Sequence, residues 1–264
     1  MPLTPDHADT VAVIAGGTQG LGLAIAERLI AEGCPRLVIA GRRVAEGEAA
    51  AEKLRGETGA DIRFLATDMG RVEDAILLID RTANRFGRVT ALVNAAATTE
   101  RGSILDTTPE DFEKHFAINT RGPFFALQRF AQLAVEKGHA ASAVNILSMV
   151  THCGQSYLAP YSASKAALAN ITKNAAQALR SHRIRVNGIN CGWMDTPGED
   201  LVQRKFHGAQ DGWLEQAEAR QPMGMLVKPG HVARLAAYML SPASGVMTGA
   251  LVDFDQNVAG AYPE

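Results

Sequence analysis

The sequence has little cysteine: Cys34, Cys153 and Cys191 are the only ones in 264 residues. An odd number of widely spaced cysteines argues against a disulfide framework and against a cysteine-based zinc site. The histidines show no metal-ligand spacing either. We therefore expect reduced thiols, no bound metal and a cytoplasmic location.

Long apolar runs and an excess of one charge are also lacking. No run approaches the ~18 residues of a membrane span, so no membrane association is predicted. The 26 basic and 28 acidic residues give a net charge of -2, which predicts no nucleic-acid partner. Residues 1–10 have no basic stretch and no apolar h-region, so they do not form a signal peptide.

Short apolar runs alternate with longer helical patterns along the whole chain. Strands that are apolar throughout and separated by helices indicate an α/β fold, with a doubly wound parallel sheet and helices on both faces, a three-layer sandwich. No linker or repeat interrupts the pattern, and we therefore predict a single domain over residues 1–264. The predicted strands cover residues 11–15, 37–40, 62–66, 91–94, 143–147, 184–189 and 250–253.

Two segments depart from this alternation of strands and helices. A helix begins after Thr108 with Pro109 at its first position and continues to Lys137, with a disturbance near Asn119 and Pro123. Residues 196–225 are polar and irregular by comparison, and we interpret them as a lid over the substrate.

A glycine-rich turn joins the first strand to the first helix. Glycines in such a turn let a pyrophosphate approach the backbone, and the helix N-terminus offers free N–H groups. Tight packing alone would also explain the glycines, but the flanking strand and helix favour nucleotide binding. The turn contains Gly16, Thr18, Gln19, Gly20, Leu21 and Gly22.

Tyr161 and Lys165 lie four residues apart and share one face of a predicted helix. A nearby ammonium lowers the pKa of a phenol, which suits it for acid–base work. Ser148 ends the fifth strand, at the edge of the sheet where open α/β proteins bind ligands. Taken alone, the pair could be surface residues and Ser148 a turn or cap serine.

Together these motifs resemble the short-chain dehydrogenase/reductase superfamily over essentially the whole chain. The resemblance implies a Rossmann-type fold with about seven parallel strands, a nicotinamide cofactor and a catalytic tetrad. Tyr161 would be the general acid/base, and Ser148 would polarise the substrate oxygen. Lys165 would hold the ribose hydroxyls and depress the Tyr161 pKa, and Asn119 would hold a water linking Lys165 to solvent.

The resemblance also implies further cofactor contacts. Asp68 and Met69 would line the adenine pocket, while Asn94, Ala95 and Ala96 would lie under the cofactor. Gly192 and Thr196 would meet the nicotinamide carboxamide.

The end of the second strand bears on the choice of cofactor. It carries Arg42 and Arg43 in place of the acid that usually selects NAD. Two arginines could clamp a 2′-phosphate, so NADP(H) is favoured, with NAD(H) possible if Arg42 only stacks on adenine. Gln19 is not basic, unlike residues near that place in many NADP-dependent relatives.

The substrate is predicted to be a small alcohol or carbonyl compound. His152, Gln155 and Trp193 are candidate substrate contacts, although an exposed loop histidine and a core tryptophan are alternatives. Polar residues in the lid favour a sugar, polyol or sugar acid, unless they only form its solvent face.

We predict an NAD(P)(H)-dependent oxidoreductase that interconverts a secondary alcohol and a carbonyl. A catalytically weak nucleotide-binding regulator, an epimerase or dehydratase, and a reductase of an apolar ketone or 3-oxoacyl substrate are the alternatives. A homotetramer or homodimer is implied by the resemblance.

Overall fold

A single parallel sheet organises the computed structural model, which describes residues 7–261. The strand order is β3-β2-β1-β4-β5-β6-β7. Residues 1–6 and 262–264 of the predicted domain lie outside the described residues. The first of these ranges holds most of residues 1–10, for which no signal peptide is predicted. The strands are β1 (Val11–Ala15), β2 (Arg36–Gly41), β3 (Asp61–Ala66), β4 (Ala91–Asn94), β5 (Ala141–Ser148), β6 (Ile184–Cys191) and β7 (Leu251–Phe254).

Helices connect the strands and cover both faces of the sheet. Buried side chains of α1, α2 and α9 pack on one face, and those of α3, α5 and α6 pack on the other. This is the predicted three-layer α/β architecture. The helices are α1 (Gly20–Ala31), α2 (Val44–Thr58), α3 (Val72–Phe86), α4 (Pro109–Phe116), α5 (Gly122–Lys137), α6 (Ala159–Leu179), α7 (Pro197–His207), α8 (Trp213–Ala219) and α9 (Pro229–Leu240).

Alternate residues of β1 show why the strands are apolar throughout. Ala12 and Ile14 belong to the core on the α1 side, whereas Val13 and Ala15 belong to the core on the α3 side. A central parallel strand has no solvent face, so every position is apolar. The strand order reverses between β1 and β4, which places a ligand crevice at their carboxyl ends.

The disturbance predicted near Asn119 is confirmed as a π-helical turn, Ala117–Arg121, between α4 and α5. A π turn inserts an extra residue into the helical ladder and often marks a functional site. Thr108 caps α4 as predicted, its hydroxyl accepting a hydrogen bond from the backbone N–H of Asp111 at 3.1 Å.

The prediction that residues 196–225 are irregular is wrong, because α7 and α8 lie within them. Thr196 caps α7 by accepting from the Glu199 N–H, Pro197 occupies the first turn, and Gly208 ends the helix in the left-handed conformation. The sequence carries this complete start and stop signature. The polar composition of the segment nevertheless led to the prediction of irregular structure.

Within residues 7–261, no helix combines the length and apolar content that crossing a bilayer requires.

Candidate active site

A cleft of about 320 Å³ opens at the carboxyl ends of β1, β2 and β4, at the reversal of strand order. Thirteen of the residues predicted to bind the cofactor line it: Gly16, Thr18, Gln19, Gly20, Leu21, Gly22, Arg42, Arg43, Asp68, Met69, Ala95, Ala96 and Thr196. The sequence analysis missed Ala40, Gly41, Thr67, Ala97, Ile118, Ile146 and Gly198, most of which are chain neighbours of predicted residues.

The glycine turn brings backbone against backbone. Gly16 has φ +82°, and a Cβ there would lie 2.5 Å from the Ala96 nitrogen. A Cβ on Gly22 would lie 2.1 Å from the Gly16 carbonyl oxygen. Only glycine fits both positions. The result is a cradle of backbone groups at the start of α1, which fits the pyrophosphate of a dinucleotide.

Basic side chains line the end of the cleft next to β2. The Arg43 guanidinium donates to the Gln19 side-chain oxygen and lies 3.4 Å from the Glu46 carboxylate. Arg42 is exposed and has no hydrogen bond or ion pair within residues 7–261. One oxygen of Asp68 accepts from the Gly70 N–H at 2.9 Å. These contacts leave a guanidinium available to a 2′-phosphate.

Four of the predicted cofactor residues lie outside the cleft lining: Asn94, Tyr161, Lys165 and Gly192. Asn94 is buried and donates to the side-chain oxygen of Asn145 at 2.9 Å, so it ties β4 to β5 behind the cleft. Gly192 packs against Asp255, and a Cβ there would lie 2.2 Å from a carboxylate oxygen of that residue. Its position reflects close packing against the segment after β7.

Tyr161 lies in the first turn of α6 beside Ser148 at the end of β5. Burial raises the pKa of Tyr161 to about 12, and the hydrogen bond of its hydroxyl with Ser148 opposes that rise without cancelling it. The predicted lowering of this pKa is therefore wrong for this structure. Ser148 also caps a short 3-10 turn, where its hydroxyl accepts from the Val150 N–H at 3.4 Å.

The ammonium of Lys165, which was expected to lower that pKa, contacts the backbone of β5 instead. It donates to the Ile146 carbonyl oxygen at 2.7 Å and lies 5.9 Å from the centre of the Tyr161 ring. Burial lowers the pKa of Lys165 to about 8, since a buried ammonium loses its hydration. Neither Tyr161 nor Lys165 lines the cleft. Ile146 does line it, so the Lys165 ammonium contacts the backbone of a cleft residue.

Asn119 is fully buried in the π turn, and its side chain is held by its neighbours. Its oxygen accepts from the Thr98 N–H at 2.9 Å, while its nitrogen donates to the Thr98 carbonyl and to the Ser164 hydroxyl at 3.0 Å. The Ser164 hydroxyl donates in turn to the Tyr161 carbonyl at 2.7 Å. Ser164 was missed from the sequence, although it immediately precedes Lys165.

We call Asn119, Ser148, Tyr161, Ser164 and Lys165 the polar corner. It joins β5, α6 and the π turn at the same edge of the sheet as the cleft.

Each of the predicted substrate residues has its own hydrogen-bond partners. His152 donates through Nε2 to the Asp253 carboxylate at 2.8 Å, and the side-chain nitrogen of Asn190 lies within hydrogen-bond distance of both groups. Gln155 donates to the Tyr157 hydroxyl. Trp193 donates to Glu199 at 2.8 Å and does not line the cleft.

Comparison with known proteins places these features in a family. The profile of the family described as enoyl-(acyl carrier protein) reductase matches residues 15–256. An NADP-dependent (R)-specific alcohol dehydrogenase of Lentilactobacillus kefiri is 35% identical over 91% of this chain and 92% of its own. Galactitol 2-dehydrogenase of Agrobacterium fabrum is 29% identical over 89% and 91%.

A solved structure of known fold also resembles this chain. A variant of actinorhodin polyketide ketoreductase with NADPH superposes with a TM-score of 0.86 at 28% identity, covering 94% of this chain and 97% of that one. The chain belongs to the short-chain dehydrogenase/reductase superfamily.

Proposed function

We propose that the protein is an NADP(H)-dependent oxidoreductase that interconverts a secondary alcohol and a carbonyl. The observation that carries the proposal is the junction of the cleft with the polar corner. The cleft has a glycine cradle for a dinucleotide, and at its Ile146 wall lie Lys165 and the hydrogen-bonded Ser148 and Tyr161.

Each side chain of the polar corner takes part in proton transfer or positioning. Ser148 holds the substrate oxygen, and Tyr161 exchanges a proton with that oxygen as general acid/base. Lys165 binds the ribose hydroxyls and provides positive charge beside the phenol. Asn119, at the π turn, holds a water that links Lys165 to solvent. The nicotinamide supplies or accepts the hydride when it is bound.

The residues at the β2 end support NADP(H). A 2′-phosphate gains charge-assisted hydrogen bonds from arginine, and no acid follows β2 directly to repel it. The Lentilactobacillus relative is named NADP-dependent, and the ketoreductase structure holds NADPH. We expect a higher kcat/KM with NADP(H) than with NAD(H).

The substrate is a small polar alcohol of the sugar, polyol or sugar-acid class, and residues 196–225 close over it. Galactitol 2-dehydrogenase and the sorbitol dehydrogenase of Cereibacter sphaeroides are among the relatives. A 3-oxoacyl substrate is the alternative, because one relative is a human protein named (3R)-3-hydroxyacyl-CoA dehydrogenase. The lid carries hydrogen-bonding residues such as Glu199, Gln203 and Arg204 beside exposed apolar ones such as Leu201 and Met223.

Tyr161→Phe tests the reaction. The change removes one oxygen, so the fold and cofactor binding are retained, while kcat falls at least ~100-fold because general acid–base catalysis is lost. Reduced-nicotinamide absorbance is followed with sugars, polyols, apolar ketones and acyl thioesters, each with both cofactors.

Tyr238→Phe is the matched control, and it should leave kcat within ~3-fold because it removes an exposed phenol on α9, outside the polar corner. Near-normal kcat in Tyr161→Phe contradicts the acid/base assignment. Cofactor binding without turnover of any substrate favours a nucleotide-binding regulator instead.

Assembly as a homotetramer or homodimer stays a prediction, and sedimentation of the purified protein tests it.

A further inference from the structure

Arg101 lies on the loop after β4, one residue before a contact with the start of α6. An isolated parallel bridge joins Gly102 to Leu158, directly before α6. The Gly102 N–H donates to the Tyr157 carbonyl at 3.0 Å, and the Gly102 carbonyl accepts from the Ala159 N–H at 2.9 Å. This bridge fixes Arg101 next to the chain segment that leads into Tyr161.

Neutral groups alone hold the Arg101 guanidinium. Its Nε and Nη2 atoms lie 3.1 and 3.0 Å from Nε2 of His207, at the end of α7. Because a guanidinium only donates, His207 accepts here through an unprotonated nitrogen. Nη1 donates to the Thr99 carbonyl at 3.1 Å, and the guanidinium carbon lies 5.3 Å from the centre of the Tyr157 ring.

None of these partners neutralises the charge. Within residues 7–261, no carboxylate lies at ion-pairing distance from Arg101, although the chain is slightly acidic overall. The neighbouring Glu100 is paired with Lys114 at 2.7 Å. The Asp106 carboxylate accepts two hydrogen bonds from Ser103. Arg101 therefore keeps a fixed, oriented and uncompensated positive charge.

That charge acts at the reacting end of the site. Burial is the main cause that raises the pKa of Tyr161, and the positive charge of Arg101 is the smallest of the effects that oppose this rise. Glu199 acts on the same phenol with the opposite sign, but one of its carboxylate oxygens already accepts from Trp193 and Gln203. Arg101 does not line the cofactor cleft.

We propose that Arg101 binds a carboxylate of the substrate, so that the protein acts on a hydroxy acid of the sugar-acid class or on its keto form. The inference rests on the proposed function and narrows its substrate. The contacts with His207 and Thr99 leave one N–H on Nη1 and one on Nη2 for a carboxylate. Such charge-assisted bonds are stronger than those to a neutral hydroxyl. His207 links this recognition to α7, a helix of the lid.

Matched acids and neutral polyols test the proposal in the full-length protein with NADP. The pairs are D-gluconate with D-sorbitol and D-galactonate with galactitol. We expect the parent to show a kcat/KM at least ~10-fold higher for the acid in a pair, as one charge-assisted interaction provides. Arg101→Met should lower the acid-to-polyol ratio by ~10–100-fold, mainly through KM, and Arg101→Lys should restore part of it.

Arg81→Met, which removes an exposed arginine from α3, is the control for charge and should leave the ratio unchanged. A parent without preference for acids, or an Arg101→Met variant that keeps the preference, overturns the inference while the dehydrogenase assignment stands.

A binding measurement separates this result from failure of the proposed function. The chain's two tryptophans, Trp193 just before the lid and Trp213 within it, stack with ring centres 6.3 Å apart. D-gluconate should change their fluorescence in the parent and, at the same concentration, not in Arg101→Met. If no compound is turned over but this difference appears, the anion site stands without the reaction. If the fluorescence of the parent does not respond either, the anion site is refuted.

Discussion

The glycine turn and the polar corner lie at the same edge of the sheet but are built by different means. In the turn, backbone packs on backbone, with Gly22 and Gly16 in a contact that admits no side chain. In the polar corner, side chains from separate elements hold one another: Asn119 from the π turn and Ser164 from α6, with Ser164 bonded to the Tyr161 carbonyl. A turn made of backbone tolerates no added atom, whereas a side-chain network fails when one polar atom is removed.

Adding one methyl group to the turn should have the largest effect on stability. In Gly22→Ala the new Cβ meets the Gly16 carbonyl oxygen at 2.1 Å, and neither backbone segment can move without disturbing β1 or α1. We expect a loss of about 3 kcal/mol in the free energy of unfolding, at the upper end for overpacking, together with weaker NADP(H) binding. Urea denaturation measures the first effect and fluorescence titration the second.

Gly56→Ala is the matched control, because a Cβ at this exposed position in α2 meets nothing within 4 Å. It should stabilise the protein by about 0.4–1 kcal/mol by restricting the unfolded chain. Equal effects of the two substitutions would mean that the turn is not closely packed.

Titration of Lys165 distinguishes the polar corner from the glycine turn, because only the polar corner holds an ammonium whose charged form is disfavoured by burial. Its pKa is about 8 in the folded protein, against an ordinary value of 10.5. Below pH 8 the folded state bears the full cost of the buried charge. Between pH 8 and 10.5 the unfolded chain binds more protons, so this cost disappears as the pH rises. We expect the parent to gain on the order of 2 kcal/mol relative to Lys165→Met across that range.

The difference between parent and variant is the quantity to measure, by denaturation at several pH values without added cofactor. Burial also raises the pKa values of Cys34 and Cys191, and their titration lowers stability at high pH in both proteins. A difference that stays constant with pH would show that Lys165 titrates normally.

Removing one hydroxyl from the polar corner should have the smallest of these effects. Ser164→Ala takes away the acceptor of the Asn119 amide and the donor to the Tyr161 carbonyl. We expect a loss of about 1 kcal/mol in the free energy of unfolding and a lower kcat, since the π turn and α6 lose their link. Denaturation and steady-state kinetics check both.

Ser162→Ala is a control on the same helix. The Ser162 hydroxyl is buried and has no hydrogen-bond partner within the part of the chain that the structure describes. Its removal should change stability by no more than about 0.5 kcal/mol. If Ser162→Ala costs as much as Ser164→Ala, the hydrogen bonds of Ser164 contribute nothing specific.

The sequence by itself determined the features that depend on neighbours along the chain. Apolar strands alternate with helices, so the order of the elements and the glycine turn could be predicted, and Asn119 marked the π turn. The caps of α7 were also present in the sequence, but polar composition outweighed them in the interpretation. Local backbone preference and hydrophobic periodicity act over a few residues, and this is why such features can be read directly.

Only the tertiary structure decided how distant residues meet. The ammonium of Lys165 contacts the Ile146 carbonyl, and burial sets the pKa values of Lys165 and Tyr161. Arg101 meets His207 across 106 positions of the chain. Desolvation and hydrogen bonding depend on what surrounds an atom in space, and a parallel sheet assembles those surroundings from segments far apart in sequence.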